Sequence, residues 1–155
     1  MGCQAMKVCT PEQLEGYLKA YGWTFTRDGD ALWHSGWQGE ERSYPLEISM
    51  SETWIRFEVV PFLAADPRAK RLTEFMAWLL ELNHELHIVK LSMLGDGAIV
   101  ISAHVLASGF TYDDLNDILG ILGYYADVLD EKIHEKMKQL GERRPTTVGR
   151  TFVTQ

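Results

Sequence analysis

Ser43-Tyr44-Pro45-Leu46-Glu47-Ile48-Ser49-Met50 and, after a short turn, Trp54-Ile55-Arg56-Phe57-Glu58-Val59 decide the fold. In the first run Tyr44, Leu46, Ile48 and Met50 alternate with Ser43, Pro45, Glu47 and Ser49. In the second, Ile55, Phe57 and Val59 oppose Trp54, Arg56 and Glu58. Successive side chains of a strand point to opposite faces, so each run predicts a strand with one face buried and one face wet. Ser51-Glu52 turns the chain between them. Pro45 cannot donate to a ladder and places the first run at an edge, and Pro61 ends the second.

Working outward, the upstream segment opens with a helix. Thr10-Pro11-Glu12-Gln13 combines an N-cap threonine, proline at the first helical position and glutamine three residues after the cap. Leu14, Tyr17, Leu18 and Tyr21 follow at helical spacing, and Gly22 stops the run. Trp23–Arg27 and Ala31–His34 read as strands around the turn Asp28-Gly29-Asp30. Gly36–Arg42 is polar and glycine-containing, and reads as a loop. Downstream, Pro67 opens a second helix that runs to about Leu86, with Leu72, Phe75, Met76, Leu79 and Leu86 on one face. Ile88–Leu94 and Ala98–Leu106 are strands joined by Gly95-Asp96-Gly97. Phe110 to about Leu140 is a long helix, started by Thr111 and Asp114 and striped with Leu115, Ile118, Leu119, Leu122, Ala126, Leu129, Ile133, Met137 and Leu140.

The order is therefore helix, three or four strands, helix, two strands, helix, in its shortest form α-β-β-β-α-β-β-α. No βαβ repetition with glycine-rich turns occurs, so the expected class is α+β, a mainly antiparallel sheet with helices packed on it. The 155 residues suit one core. The expected organisation is a flexible lead-in over residues 1–9, a single domain over 10–140 and a flexible, Arg/Pro/Thr/Gly-rich tail over 141–155.

Composition narrows function. Hydrophobic residues make up 46% and charged residues 24%, as in a globular protein, and the net charge is −7. That charge argues against direct nucleic-acid binding, which needs clustered Lys and Arg; the one dense basic run, Arg143-Arg144, lies in the tail beside Glu142. Cys3 and Cys9 make no disulfide framework. Met1-Gly2-Cys3 lacks the serine or threonine that a myristoylation signal prefers, because position 6 is Met6. No segment reaches the ~20 apolar residues of a membrane span, and the chain is expected in the cytoplasm with no membrane contact.

Neither catalytic nor metal chemistry emerges. Asn83-His84-Glu85-Leu86-His87 spaces its histidines three apart, one short of the zinc-protease pattern, and reads as exposed helix-end histidines. Asp113, Asp114 and Asp117 fall in the first turns of the last helix, where negative charge complements the dipole. Asp127-Val128-Leu129-Asp130-Glu131 lacks the alternating ligands of a calcium loop. Gly95-Asp96-Gly97 lacks the further glycine of a phosphate loop. The expected sites are accordingly no catalytic residue, no metal and no cofactor.

Apolar surface is more informative. At about 100° per residue, the second helix carries an apolar arc from Trp78 through Leu82, Phe75, Leu79 and Met76 to Leu80 of roughly 200°, against ~100° for an ordinary amphipathic helix. Either the helix is sandwiched within its own chain, or Trp78 and Leu82 form a subunit interface or peptide groove. Asn83 falls inside the arc and, once buried, must find hydrogen-bond partners. Trp54, on a face with Arg56 and Glu58, and Trp37, in the polar loop, are the candidates for partner contact; the other reading of both is partial burial.

These joints resemble the YbjN family. The matching features are Leu14–Tyr17-Leu18 leading to Gly22-Trp23, the strand Trp54-Ile55-Arg56-Phe57 and Leu79-Leu80-Glu81-Leu82-Asn83. The Lys90-Leu91 to Asp96-Gly97 hairpin and Tyr124-Tyr125-Ala126-Asp127 complete the set, across residues 10–140. Gly36–Arg42 and the tail depart from the family, and no role is carried to them. The resemblance implies a fold shared with type III secretion chaperones, small acidic homodimers that hold a partly unfolded partner segment against apolar patches. It implies no enzymatic activity and no cofactor.

The leading expectation is a homodimeric, chaperone-like or regulatory module that binds another protein and is not an enzyme. The alternative is a small-molecule-binding sensor or enzyme with a pocket between the sheet and the last helix. A third reading, stacking of single-stranded nucleic acid on the tryptophans, is opposed by the charge.

Overall fold

A computed structural model of the protein describes residues 6–66 and 68–141. In chain order the elements are α1 (Pro11–Tyr21), β1 (Thr26–Arg27), β2 (Leu32–Gln38), β3 (Ser43–Met50), β4 (Trp54–Ala64), α2 (Leu72–Glu85), β5 (Val89–Met93), β6 (Ala98–Leu106) and α3 (Tyr112–Gln139). Four strands precede α2, the first of them two residues long. They form one six-stranded sheet in the order β1-β2-β3-β4-β6-β5, and every neighbouring pair is antiparallel. The fold class is α+β, as the alternation of the central runs implies. Their register sets Ile48 opposite Phe57 and Met50 opposite Ile55, so both apolar sets fall on one face.

Local chemistry starts the outer helices. Thr10 accepts from the Gln13 N–H while the Gln13 side chain accepts from the Thr10 N–H, and Gly22 closes α1 in the left-handed region at φ 86°. Thr111 and Asp114 form the same reciprocal cap on α3. α2 starts later than expected, at Leu72, with Arg71 as an N-cap that makes no side-chain bond. Pro67, the expected opener, lies outside the described residues.

Pro45 does not mark an edge, because β3 is paired on both sides, and Pro61 does not end β4, which runs on to Ala64. Two further expectations are corrected. Gly36–Arg42 is not wholly a loop, because β2 runs on through Gln38 and pairs from Leu32 opposite Ser49 to Gln38 opposite Ser43. Trp37 is therefore a strand residue. Trp33, Ser35 and Trp37 share the inner face, and Ser35 is tolerated there because its hydroxyl donates to the Thr24 carbonyl at 2.7 Å. The flexible lead-in over 1–9 does not extend to its last residues either. Val8 bridges to Ser108, and the buried Cys9 donates its N–H to the Ala107 carbonyl at 2.8 Å. The rest of the expected tail, 142–155, lies outside the described residues.

All three helices bury their apolar stripes in one cluster with the inner strand residues. α1 contributes Leu14 and Leu18, α2 contributes Phe75, Leu79 and Leu82, and α3 contributes its stripe from Leu115 to Met137. Each fully buried leucine or phenylalanine stabilises the fold by about 1.5–3 kcal/mol relative to exposure. The opposite face carries Leu32, His34, Glu47, Ser49, Trp54, Arg56, Glu58, Ser102, His104 and Leu106, with Lys90 on β5. None of these outward residues belongs to the core cluster that the helices cover.

Candidate functional site

Each surface expected to carry a partner occupies a defined place. Leu82 is 6% exposed within the chain's own core. Trp78 is partly buried, stacked on Phe75 with ring centroids 6.0 Å apart, and the Lys136 ammonium of α3 sits 5.6 Å from its ring. The wide arc of α2 is therefore largely consumed inside the molecule, the sandwiched arrangement. Leu80 alone stands well out of it, 69% exposed. Trp37 is also partly buried, between Trp23 at 6.0 Å and Tyr44 at 5.3 Å. Trp54 differs from these. It is 47% exposed, on the helix-free face of the sheet.

Asn83 has a definite role. Its amide nitrogen donates to the Leu91 carbonyl at 2.8 Å, and its amide oxygen accepts from the Leu91 N–H at 2.7 Å. β5 is an edge strand, and these are backbone groups that a further strand would claim. One side chain on α2 thus stands in for a neighbouring strand and fixes the helix against the sheet.

Two carboxylates of α3 organise the other wing. Asp127 Oδ1 accepts from the Tyr44 hydroxyl and from the Glu40 N–H, each at 3.1 Å. Asp130, itself buried, pairs with Arg42 Nε at 2.8 Å, and Arg42 also donates to the Phe62 carbonyl at 2.6 Å. The guanidinium lies 4.7 Å from the centre of the Tyr44 ring and 4.8 Å from that of Phe62. Burial pushes the Tyr44 phenol well above its ordinary pKa; Asp130 and Asp127 add to the rise and Arg42 opposes it. Gly39 is required by contact here, since a Cβ would fall on the Tyr44 ring and the Asp127 carboxylate.

The helix-free face holds the most open chemistry. A groove of about 620 Å³ is lined by Trp54, Arg56, Lys90, His104 and Ser49, among others. Lys90 Nζ is 3.3 Å from His104 Nδ1. An ammonium has no acceptor, so Nδ1 accepts and the ring proton lies on Nε2. That nitrogen is buried and without a hydrogen bond, although Glu58 Oε1 is 3.5 Å away. Neither Arg56 nor Lys90 pairs with a carboxylate among the described residues.

His104 also lines a second cavity of about 550 Å³ at the end of β6, with Leu106, Ile88, Phe110, Ile118 and Asp117. Leu106 is 53% and Ile88 60% exposed. Ile88 has a positive φ of 71°, costly for a β-branched residue, which turns its side chain outward between α2 and β5. Sequence reasoning missed Ile88, Arg56, Lys90 and His104 as a group, because their proximity depends on β6 lying between β4 and β5. Among the described residues no cluster of three metal-ligating side chains occurs, and no helix is long and apolar enough to cross a membrane.

The model of one family, YbjN, described as "Putative bacterial sensory transduction regulator", matches residues 10–135. This chain belongs to the YbjN family. Asn83 and Asp127, both within the resemblance drawn from the sequence, are the residues that fasten α2 and α3 to opposite wings of the YbjN sheet. No curated protein sequence matches the chain significantly. Among solved structures, YbjN from E. coli is similar with a TM-score of 0.58 and 16% identity, over 87% of this chain and 96% of that one. A chain of the heterodimeric complex ExoU-SpcU from the type III secretion system of Pseudomonas aeruginosa is similar with a TM-score of 0.53 and 19% identity, over 75% and 93%. An uncharacterised protein from Methanothermobacter thermautotrophicus follows at 0.52 and 11%, over 83% and 96%. At these identities the likeness is one of fold.

Proposed function

We propose that this YbjN-family chain is a non-enzymatic, regulatory or chaperone-like module that binds another protein in the cytoplasm and acts as a homodimer. The observation that carries the reading is the helix-free sheet face with Trp54 and Leu106 side by side across β4 and β6, 47% and 53% exposed. Large exposed apolar side chains on a continuous strand surface are what a docking partner covers. The family description as a regulator supports it, as does a structural neighbour found in a heterodimeric complex. Leu82 is held in the chain's own core and Trp37 and Trp78 are partly buried, which puts more weight on Trp54 than on the other three. Placing a photo-cross-linking amino acid at Trp54 in cells that make the protein tests the reading. A discrete cross-linked species, lost when the same group is moved to Glu12 on α1, is expected. Indistinguishable patterns from the two positions would sink it, and a monomer by light scattering at micromolar concentration would remove the homodimer.

The second reading, a small-molecule sensor, is favoured by the cavity of about 550 Å³ between the end of β6 and the first turns of α3. Its polar lining is thin. Asp114 is engaged with Thr111 and the Ser108 hydroxyl with the Met6 carbonyl, which leaves Asp117 and His104 to converge on a ligand.

A further inference from the structure

We infer that the helix-free face receives an acidic segment of the partner, an extended peptide that sets a large apolar residue on Trp54 and Leu106 and its carboxylates on Arg56 and Lys90. This rests on the protein-binding reading above and names the chemistry of the partner.

Three observations converge. The first is charge. In a chain of net charge −7, Arg56 and Lys90 both line one groove, are exposed, and have no carboxylate partner among the described residues. The carboxylates nearby are engaged elsewhere. Glu58 faces His104 at 3.5 Å, Glu47 lies 3.8 Å from His34 Nδ1, and Asp114 caps α3. Asp117 belongs to the adjoining cavity at the α3 end. A carboxylate arriving between Arg56 and Lys90 therefore meets two cations and displaces no existing ion pair.

The second is hydrogen bonding. His104, directly opposite Arg56, presents Nδ1 to the Lys90 ammonium at 3.3 Å, so the two cations are held at the same groove.

The third is shape. Trp54 and Leu106 are cross-strand neighbours, and Arg56 and His104 are the next such pair on the same face. His104 lines both the groove of about 620 Å³ and the cavity of about 550 Å³, which makes one track from the middle of the sheet to Ile88. A track open along its length leaves most of a small ligand in water, whereas small-molecule sites enclose most of theirs. An extended peptide fits it, with side chains alternating between the sheet and solvent.

The test is selection of displayed random twelve-residue peptides on the full chain, in parallel with Arg56→Glu/Lys90→Glu and, in case that double reversal fails to fold, Arg56→Gln/Lys90→Gln. Folding of each is checked by circular dichroism. The native chain is expected to enrich peptides with net negative charge and at least one aromatic or leucine. The acidic bias is expected to vanish for the glutamine pair and to invert for the glutamate pair. Affinity of a selected peptide is expected to fall about tenfold or more in either variant and to weaken with salt. Enriched peptides with no acidic bias, or with a bias that both variants retain, overturn this assignment and leave protein binding itself standing. No enrichment on the native chain overturns both.

Discussion

Replacing Asn83 by alanine strips the outward-facing N–H and C=O of Leu91 of their partners while leaving the apolar contacts of α2 in place. Two bonds are lost, at 2.7 and 2.8 Å, and the site is only partly buried. Each is worth about 0.5–1.5 kcal/mol net, and water can reach part of the exposed edge, so the expected cost is about 1–2 kcal/mol. In a 155-residue chain that corresponds to a fall in Tm of roughly 2–8 °C. Urea unfolding should show a lower midpoint with an unchanged slope, because the folded surface is hardly altered. Hydrogen exchange locates the effect, since the Leu91 amide should open by a local route in the variant. Asn83→Asp is the sharper control: it keeps an acceptor for the Leu91 N–H but sets a carboxylate oxygen against the Leu91 carbonyl. If Asn83→Ala changes stability by less than ~0.5 kcal/mol and Leu91 exchange is unaltered, the amide is not the guardian of the β5 edge.

Arg42→Ala should be the most damaging polar substitution, at about 3–5 kcal/mol, because it leaves Asp130 buried without its cation; an equilibrium unfolding curve within 1 kcal/mol of the parent contradicts this. Tyr44→Phe removes the hydroxyl from Asp127 and the Ala126 carbonyl and should cost about 1–2 kcal/mol by the same measurement. The Tyr44 phenol is raised in the folded state, so its contribution is fully present below the ordinary tyrosine value near ~10 and is lost as pH climbs toward the folded value. Urea midpoints from pH 8 to 11 should therefore decline less steeply in Tyr44→Phe than in the parent. Gly39→Ala drives a methyl group into the Tyr44 ring and should cost about 1–3 kcal/mol; a melt unchanged from the parent would show that the turn simply shifts aside.

The central strands were legible because their alternation is strict and one face is wet: Ile55, Phe57 and Val59 could belong to nothing but the inner face of a two-sided element. β2 was read only as far as His34 and then abandoned, because Ser35 and Gly36 break the apolar rhythm. Ser35 sits inward with its hydroxyl bonded to the Thr24 carbonyl, which no pattern announces. Asn83 stood out as a polar residue within an apolar arc, and its need for partners followed from burial alone. That the partner is Leu91, eight residues on, depends on how α2 turns back along β5. The Arg42–Asp130 pair, separated by 88 positions, and the cluster of Arg56, Lys90 and His104 are products of topology and leave no local trace. The width of the α2 face was visible, but what covers it was not: Lys136, on another helix, lies over Trp78.

Tyr125 and Asp127, two residues apart on α3, hold opposite sides of the sheet: the Tyr125 hydroxyl accepts from the His87 N–H at 3.4 Å beside β5, while Asp127 takes the Glu40 N–H beyond β2. For anyone building with this scaffold, the consequence is a map of where the chain tolerates being opened. The Gly39–Arg42 connection looks like an ordinary surface turn, yet it is clamped to α3 and will not accept a tag, an inserted domain or new termini. The Asp28–Asp30 and Gly95–Gly97 turns make no bond to any helix among the described residues, and those are the places to cut and rejoin.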